Sequence, residues 1–200
     1  MKIHCIAIVF CCLTVSLGGG CRNDQRDVKN SVSVVSEMAT AAAKGDSIGG
    51  IAIGENYLRE NPWDTNVLEQ TAILTLAQAK QDKNNREPLV ARAVLLLERS
   101  VKSSHPQKDN ADRFLDPFMA ARGFEAAGDL SSDKCQYYGR ALALNSEAGA
   151  ALNVESFKSG DEKAISTKPL KEQSRRLQSE LEKRVAESRC GTEPGPGGPA

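Results

Sequence analysis

The stretch from Asp116 to Ser146 constrains the fold more than any other part of this chain, because it predicts one complete helix-turn-helix hairpin. Asp116 followed by proline is typical of a helix start: the aspartate side chain accepts from free backbone donors, and proline needs no donor there. Gly128 predicts the end of this helix, since glycine accepts the left-handed backbone found just past a helix end. Residues 131–133 then offer caps for a second helix, and two helices joined by so few residues must pack antiparallel.

A hairpin of the same plan is predicted near the amino terminus. Its first helix carries an apolar face from Ser31 onward and ends at Gly45-Asp46, and its second helix runs over 47–59 before Pro62. Three glycines occur inside the second helix: Gly49, Gly50 and Gly54. They leave two alternatives, close packing against a neighbouring helix or a loosely formed helix.

Between these hairpins lies a third, whose two helices are predicted to start at Asp64-Thr65 and at Pro88. Both are apolar nearly all round, which is typical of helices buried on several sides. We therefore expect the middle hairpin to be the core, sandwiched by the other two. Trp63 stands at the junction of two hairpins, where we expect it to fill the interface between units rather than to bind a ligand.

The pairing of AAGD with YYGRALALN in the hairpin that begins at Asp116 resembles a tetratricopeptide repeat. In that family a glycine-aspartate turn separates two helices, small residues let them approach, and a proline often closes the unit. The resemblance, together with an aromatic content of only 4% and no alternating apolar pattern, predicts an all-α fold. We expect a right-handed stack of about three antiparallel helix hairpins, a tetratricopeptide-like α-solenoid, over residues 31–152.

Beyond this stack we expect a linker over 153–167, a long polar helix over 168–189 and a disordered tail over 190–200. A narrow apolar stripe runs along the polar helix: Leu170, Leu177, Leu181 and Val185. The stripe has two interpretations, a capping helix that covers the end of the stack and a helix that binds a partner or a second copy.

The amino terminus predicts export. A short positive start and an apolar run from Ile3 to Leu17 have the length of a signal-peptide core, so we assign residues 1–20 to a signal peptide. The small residues before Cys21 resemble a bacterial lipobox, which implies a lipid on the Cys21 thiol. Ordinary secretory cleavage and an uncleaved anchor are the alternatives. Residues 21–30 fit a polar tether, and arginine rather than aspartate after Cys21 favours the outer membrane.

Cysteine counting follows from that lipobox resemblance. If the signal peptide is removed and Cys21 is lipidated, Cys135 and Cys190 remain in an oxidising compartment. One interpretation is a disulfide that pins the polar helix to the preceding hairpin. The other is a pair of free thiols, because Cys135 falls where the repeat family has a small packing residue and Cys190 adjoins the tail.

Charge and composition exclude several functions. Lys and Arg balance Asp and Glu at 26 each, so there is no overall attraction to nucleic acid or to an anionic membrane, and the sequence shows no basic stripe that would supply a local one. After residue 20 the chain has one histidine, His105, and we interpret the aspartates near it, Asp109, Asp112 and Asp116, as capping residues of a solvated turn rather than metal ligands. We predict no enzyme, no cofactor and no small-molecule substrate.

The sequence therefore favours a lipid-anchored envelope scaffold that binds another protein or a peptide segment. Proteins that it resembles serve as pilotins or as accessory factors in pilus, secretion or outer-membrane assembly. A soluble periplasmic chaperone or adaptor is the first alternative, and an envelope enzyme is the second. The predicted partner-binding residues lie on the first helices of the hairpins: Glu37, Thr40, Gln70, Thr75, Gln78, Arg122 and Glu125.

Overall fold

A computed structural model of the chain describes residues 24–103, 110–153, 156–158, 164–188 and 190. The predicted signal peptide, Cys21 and residues 191–200 lie outside these ranges. The described part contains these elements in chain order: α1 (Asp24–Ala43), α2 (Ser47–Glu60), α3 (Thr65–Gln81), α4 (Arg86–Ser103), α5 (Asn110–Leu130), α6 (Lys134–Ala151), β1 (Ser156–Lys158), β2 (Ala164–Ser166) and α7 (Lys168–Glu187).

Successive helices pack in pairs, and the pairs stack. The helix α1 packs with α2, α3 with α4 and α5 with α6, and each second helix also contacts the first helix that follows it. The first helices contact one another as well, α1 with α3, α3 with α5 and α5 with α7. The prediction of an all-α stack of three hairpins with a C-terminal helix is thus confirmed. By its contacts, α7 takes the place of the first helix of a fourth pair.

The core is centred on α3. This helix contacts α1, α2, α4 and α5, and most of its side chains are buried. One apolar cluster joins α1, α2 and α3 around Met38 and Leu68, and a larger one runs from α3 to α7 through Leu97, Phe124 and Leu181. At about 25 cal/mol per Å² of apolar surface buried, such clusters are the main stabilising contribution to the stack.

The prediction that both middle helices are buried on several sides is wrong for α4. Leu97 is fully buried and Leu96 is half-buried, but Leu95 between them is 71% exposed. The reason is position: α4 belongs to the layer of second helices and packs through one face against α3 and α5. An apolar residue on its opposite face therefore meets water.

Local signals placed several helix ends correctly. Gly45 has φ of 84° and ends α1, and the Asp46 side chain accepts from the Gly49 amide at 2.7 Å to cap α2. Asp64 accepts from the Val67 amide at 3.1 Å and caps α3. Both caps satisfy amides that the first turn of a helix leaves without a carbonyl partner.

The start of α5 was predicted wrongly. The helix already begins at Asn110, so Asp116 does not cap it, and Pro117 lies inside it. Proline in a helix interior removes one backbone hydrogen bond. Packing offsets that loss: Phe114 and Phe118 flank the proline with stacked rings 5.1 Å apart, and Phe114 is fully buried against Leu152.

Gly128 does not end α5 either. The helix continues to Leu130, and among the glycines of the described ranges Gly45 alone has a positive φ. A Cβ at position 128 would lie 2.5 Å from Cε1 of Tyr138, so Gly128 lets α6 approach α5. Gly54 acts in the same way in α2, where a Cβ would lie 2.3 Å from the Thr71 hydroxyl. Close packing, rather than a loose helix, therefore explains that glycine.

Both ends of the domain differ from the predicted boundaries. The helix α1 begins at Asp24, inside the stretch predicted as a tether, and the predicted linker contains the antiparallel pair β1 and β2 with Phe157 opposite Ile165. The helix α7 begins at Lys168 as predicted, and its stripe faces the stack, with Leu177 and Leu181 buried. Of the two interpretations of this stripe, the structure supports the first, a helix that covers the end of the stack.

Candidate interaction surface

The first helices of the hairpins form one layer that carries the residues predicted to bind a partner. Glu37 and Thr40 are exposed on α1, where the Thr40 hydroxyl donates to the Ser36 carbonyl at 2.8 Å. Gln70 and Gln78 are half-buried on α3. Because α1, α3 and α5 contact one another in that order, the helices that present these side chains are continuous across the stack.

Thr75 cannot be part of such a surface. Its side chain is fully buried, and its hydroxyl donates to the Thr71 carbonyl at 2.8 Å. The prediction for Thr75 is wrong because α3 is enclosed by four other helices and has little outward face. The bond to the preceding turn also satisfies the hydroxyl without an external partner.

Glu125 is buried as well, beneath α7. Its carboxylate lies between two guanidinium groups, that of Arg122 at 2.7 Å and that of Arg184 at 3.3 Å. Burial raises the pKa of Glu125, although both arginines act to lower it. Arg122 remains half-exposed and reaches Glu180 of α7 at 3.6 Å. The predicted partner contact at Glu125 is therefore replaced by a contact within the chain.

The same junction contains a second set of polar contacts. The Tyr138 hydroxyl donates to Oδ1 of Asp129 at 2.7 Å, and Arg184 also pairs with Asp129. Burial and the bond to Asp129 raise the pKa of Tyr138. These residues were missed by the sequence reasoning. The available signal was the spacing of Arg184, which follows Leu181 of the apolar stripe by three residues and so lies on the same side of α7.

A disulfide lies next to this junction. Cys135 near the start of α6 is bonded to Cys190 just after α7, with their Cα atoms 5.2 Å apart. A shallow cleft of about 380 Å³ adjoins it, lined by Ser132, Lys134, Cys135, Tyr138, Arg184, Glu187 and Ser188. The Tyr138 hydroxyl and the Arg184 guanidinium are both engaged with Asp129, so the cleft is a by-product of the helix junction.

Trp63 does not fill the interface between hairpins. Its side chain is 59% exposed, and the Arg99 guanidinium of α4 lies 5.2 Å from the centre of its ring. The turn between α2 and α3 places the indole outside because Asp64, the next residue, is turned inward. The Asp64 carboxylate accepts hydrogen bonds from Ser31 at 3.0 Å and from Tyr57 at 3.2 Å.

Ion pairs join the second helices across the stack. Glu55 of α2 pairs with Arg92 of α4, and Glu98 of α4 accepts two hydrogen bonds from Arg140 of α6 at 3.0 Å each. Exposed pairs contribute little individually, about 0–1 kcal/mol. These pairs link successive hairpins in the layer of second helices, where an apolar side chain such as Leu95 remains exposed to solvent.

No group of three or more His, Cys, Asp or Glu side chains in the described ranges is placed to hold a metal ion. Likewise, none of the helices in these ranges has the length and apolar character to cross a membrane. His105 and Asp109 lie outside the described residues, as does the predicted lipidation site Cys21.

Comparison with protein families, with curated proteins and with solved structures finds no match for this chain. The function must therefore be argued from its own residues.

Proposed function

We propose that this chain is a lipid-anchored scaffold of a bacterial cell envelope, and that its first-helix layer binds a segment of another protein. The observation that carries the proposal is the continuous contact of α1, α3 and α5. Side-by-side helices of this kind offer a surface longer than any single helix, and such extended surfaces are how stacked-helix proteins bind their partners.

The predicted contact residues that remain accessible on this layer are polar. After removal of the buried Thr75 and Glu125, the candidate contacts are Glu37, Thr40, Gln70, Gln78 and Arg122. Carboxylate, hydroxyl, amide and guanidinium groups recognise a partner through hydrogen bonds and charge, which determines specificity and orientation more than raw affinity. We therefore expect a partner segment with mixed polar character rather than a purely apolar helix.

A site-specific crosslinking experiment tests this surface. Photo-crosslinking residues are introduced at Glu37, Gln70 and Arg122, one at a time, in the full chain expressed in its bacterial envelope. Gln136 is the matched control, because it is exposed on α6 in the layer of second helices. We expect the three first-helix positions to capture one common protein that the control does not. Equal capture at all four positions would refute a specific surface on this layer.

Anchoring is tested separately with a Cys21→Ser variant. If Cys21 carries the lipid, the natural chain sediments with membranes and is released by detergent, whereas the variant is soluble in the periplasm. Mass spectrometry of the purified chain checks the same point through the mass of the lipid. A natural chain that is soluble without detergent would instead favour the periplasmic adaptor.

A further inference from the structure

Aromatic, aliphatic and basic side chains lie near the turn between α2 and α3: Trp63 is in the turn, Arg59 is in the last turn of α2, and Leu95 and Lys102 lie one helical turn to either side of Arg99 on α4. We define the Trp63 surface as five residues: Arg59, Trp63, Leu95, Arg99 and Lys102. Trp63 and Leu95 are 59% and 71% exposed, and the Arg99 guanidinium lies over the indole at 5.2 Å from its centre. A contiguous exposed apolar patch with a polar rim marks a protein or membrane interaction site.

The cations of this surface are not neutralised within the described chain. Arg59, Arg99 and Lys102 form no ion pair with another described residue, whereas the neighbouring Arg92 pairs with Glu55. Glu98 of α4 is already bound to Arg140. The surface therefore has three positive charges that form no ion pair in the described ranges, although Glu60 adjoins Arg59 in the sequence and the whole chain has no net charge.

The Trp63 surface lies along the edge of the stack at which α1 begins, α2 ends, α3 begins and α4 ends. Ser31 of α1 donates to Asp64, the residue after Trp63, at 3.0 Å, and Ser103 at the end of α4 contacts Thr65 at 3.1 Å. The start of α1, the Trp63 turn and the end of α4 thus belong to one edge of the stack. Under the proposed function, a lipid on Cys21 would hold this same edge next to the bilayer.

We propose that the Trp63 surface docks on a bilayer that contains anionic phospholipid. The inference rests on the proposed lipid anchor, and it adds a second membrane contact, made by protein side chains. The indole has an apolar ring and a polar N–H, which favour the level of the lipid headgroups. Arg59, Arg99 and Lys102 complement the negative phosphates, and each cation near an anionic surface strengthens binding by about fivefold.

The chain offers its own probe, because Trp63 is its single tryptophan. The full-length chain is reconstituted in vesicles with brominated acyl chains, made either of phosphatidylglycerol and phosphatidylcholine or of phosphatidylcholine alone. Docking brings the indole to the lipid, so we expect blue-shifted emission and quenching by bromine in the anionic vesicles. In the phosphatidylcholine vesicles we expect solvent-like emission.

The variant Arg59→Gln/Arg99→Gln should lower the ratio of docked to undocked protein about 25-fold, with an unchanged circular dichroism spectrum. Lys83→Gln/Arg175→Gln is the matched control, because it removes two exposed cations from other parts of the surface and should leave the quenching unchanged. Unquenched Trp63 in anionic vesicles that carry the chain would overturn the proposal. A blue shift with poly-glutamate but not with vesicles would also overturn it, in favour of an acidic protein partner.

These outcomes are separate from the test of the anchor. Sedimentation of the chain with vesicles and the mass of Cys21 report the anchor, whereas quenching of Trp63 reports the surface. An anchored chain with a solvent-exposed indole would therefore refute this inference and leave the scaffold proposal standing.

Discussion

The packing of Gly128 against Tyr138 makes a quantitative prediction about a single methyl group. In Gly128→Ala, the new Cβ would lie 2.5, 2.7 and 3.1 Å from three ring carbons of Tyr138. The ring cannot easily move away, because Tyr138 is only 3% exposed and its hydroxyl is bonded to Asp129 at 2.7 Å. We therefore expect α5 and α6 to separate locally in the variant.

The magnitude follows from two opposing effects. Alanine in a helix interior is favoured over glycine by about 0.5–1 kcal/mol, while overpacking a buried contact costs about 1–3 kcal/mol. Gly128→Ala should therefore lower the free energy of unfolding by about 1 kcal/mol, and by at most about 2.5 kcal/mol. Gly139→Ala is the matched control, because Gly139 lies in α6 and a Cβ there would have no neighbour within 4 Å. It should gain about 0.5–1 kcal/mol.

Urea and thermal unfolding followed by circular dichroism measure both variants. Since 1 kcal/mol corresponds to about 2–4 °C in a chain of this size, the midpoint of Gly128→Ala should fall and that of Gly139→Ala should rise. Adding Tyr138→Leu removes the ring edge, so in that background Gly128→Ala should cost little. A cost that persists there would refute the argument, because it would have to come from the backbone at residue 128.

Three further predictions concern caps, the disulfide and pH. Asp64→Ala should lower the free energy of unfolding by about 2–3 kcal/mol in urea, against about 1 kcal/mol for Asp46→Ala. Both variants lose a helix cap, but Asp64 also accepts from two hydroxyl groups of other helices. Equal losses would contradict that difference. The cysteines of the Cys135–Cys190 bond are 55 residues apart, so reduction of this bond should lower the free energy of unfolding by on the order of 4 kcal/mol. A reductant should not change the stability of the variant with serine at both positions. Mass spectrometry of unreduced protein with both thiols free would exclude the bond. The raised pKa of Glu125 means that the folded state holds its proton more tightly than the unfolded state, whose pKa is near 4.5. The contribution of Glu125 to the free energy of unfolding should therefore decrease as the pH rises from 4.5 through the pKa of Glu125 in the folded state. The variant Glu125→Gln should not show this pH dependence. A stability difference between the two proteins that does not change with pH would contradict the shift.

Tertiary structure decided the facing of side chains that the local pattern treated alike. Leu95 and Leu97 are both leucines of one apolar helix, yet one is exposed and the other is fully buried, because α4 has a neighbour on one side. Thr75 and Glu125 were predicted as surface residues of first helices. They are buried because α3 is surrounded and because α7 covers α5.

The sequence by itself determined the features that depend on a few consecutive residues. The turn at Gly45, the cap at Asp64 and the apolar stripe of α7 were all predicted, since backbone conformation, capping bonds and helical periodicity are local. The role of Gly128 and the exposure of Trp63 were decided only by the packing of helices from distant parts of the chain. Such contacts depend on the space between helices, and no run of neighbouring residues specifies that space.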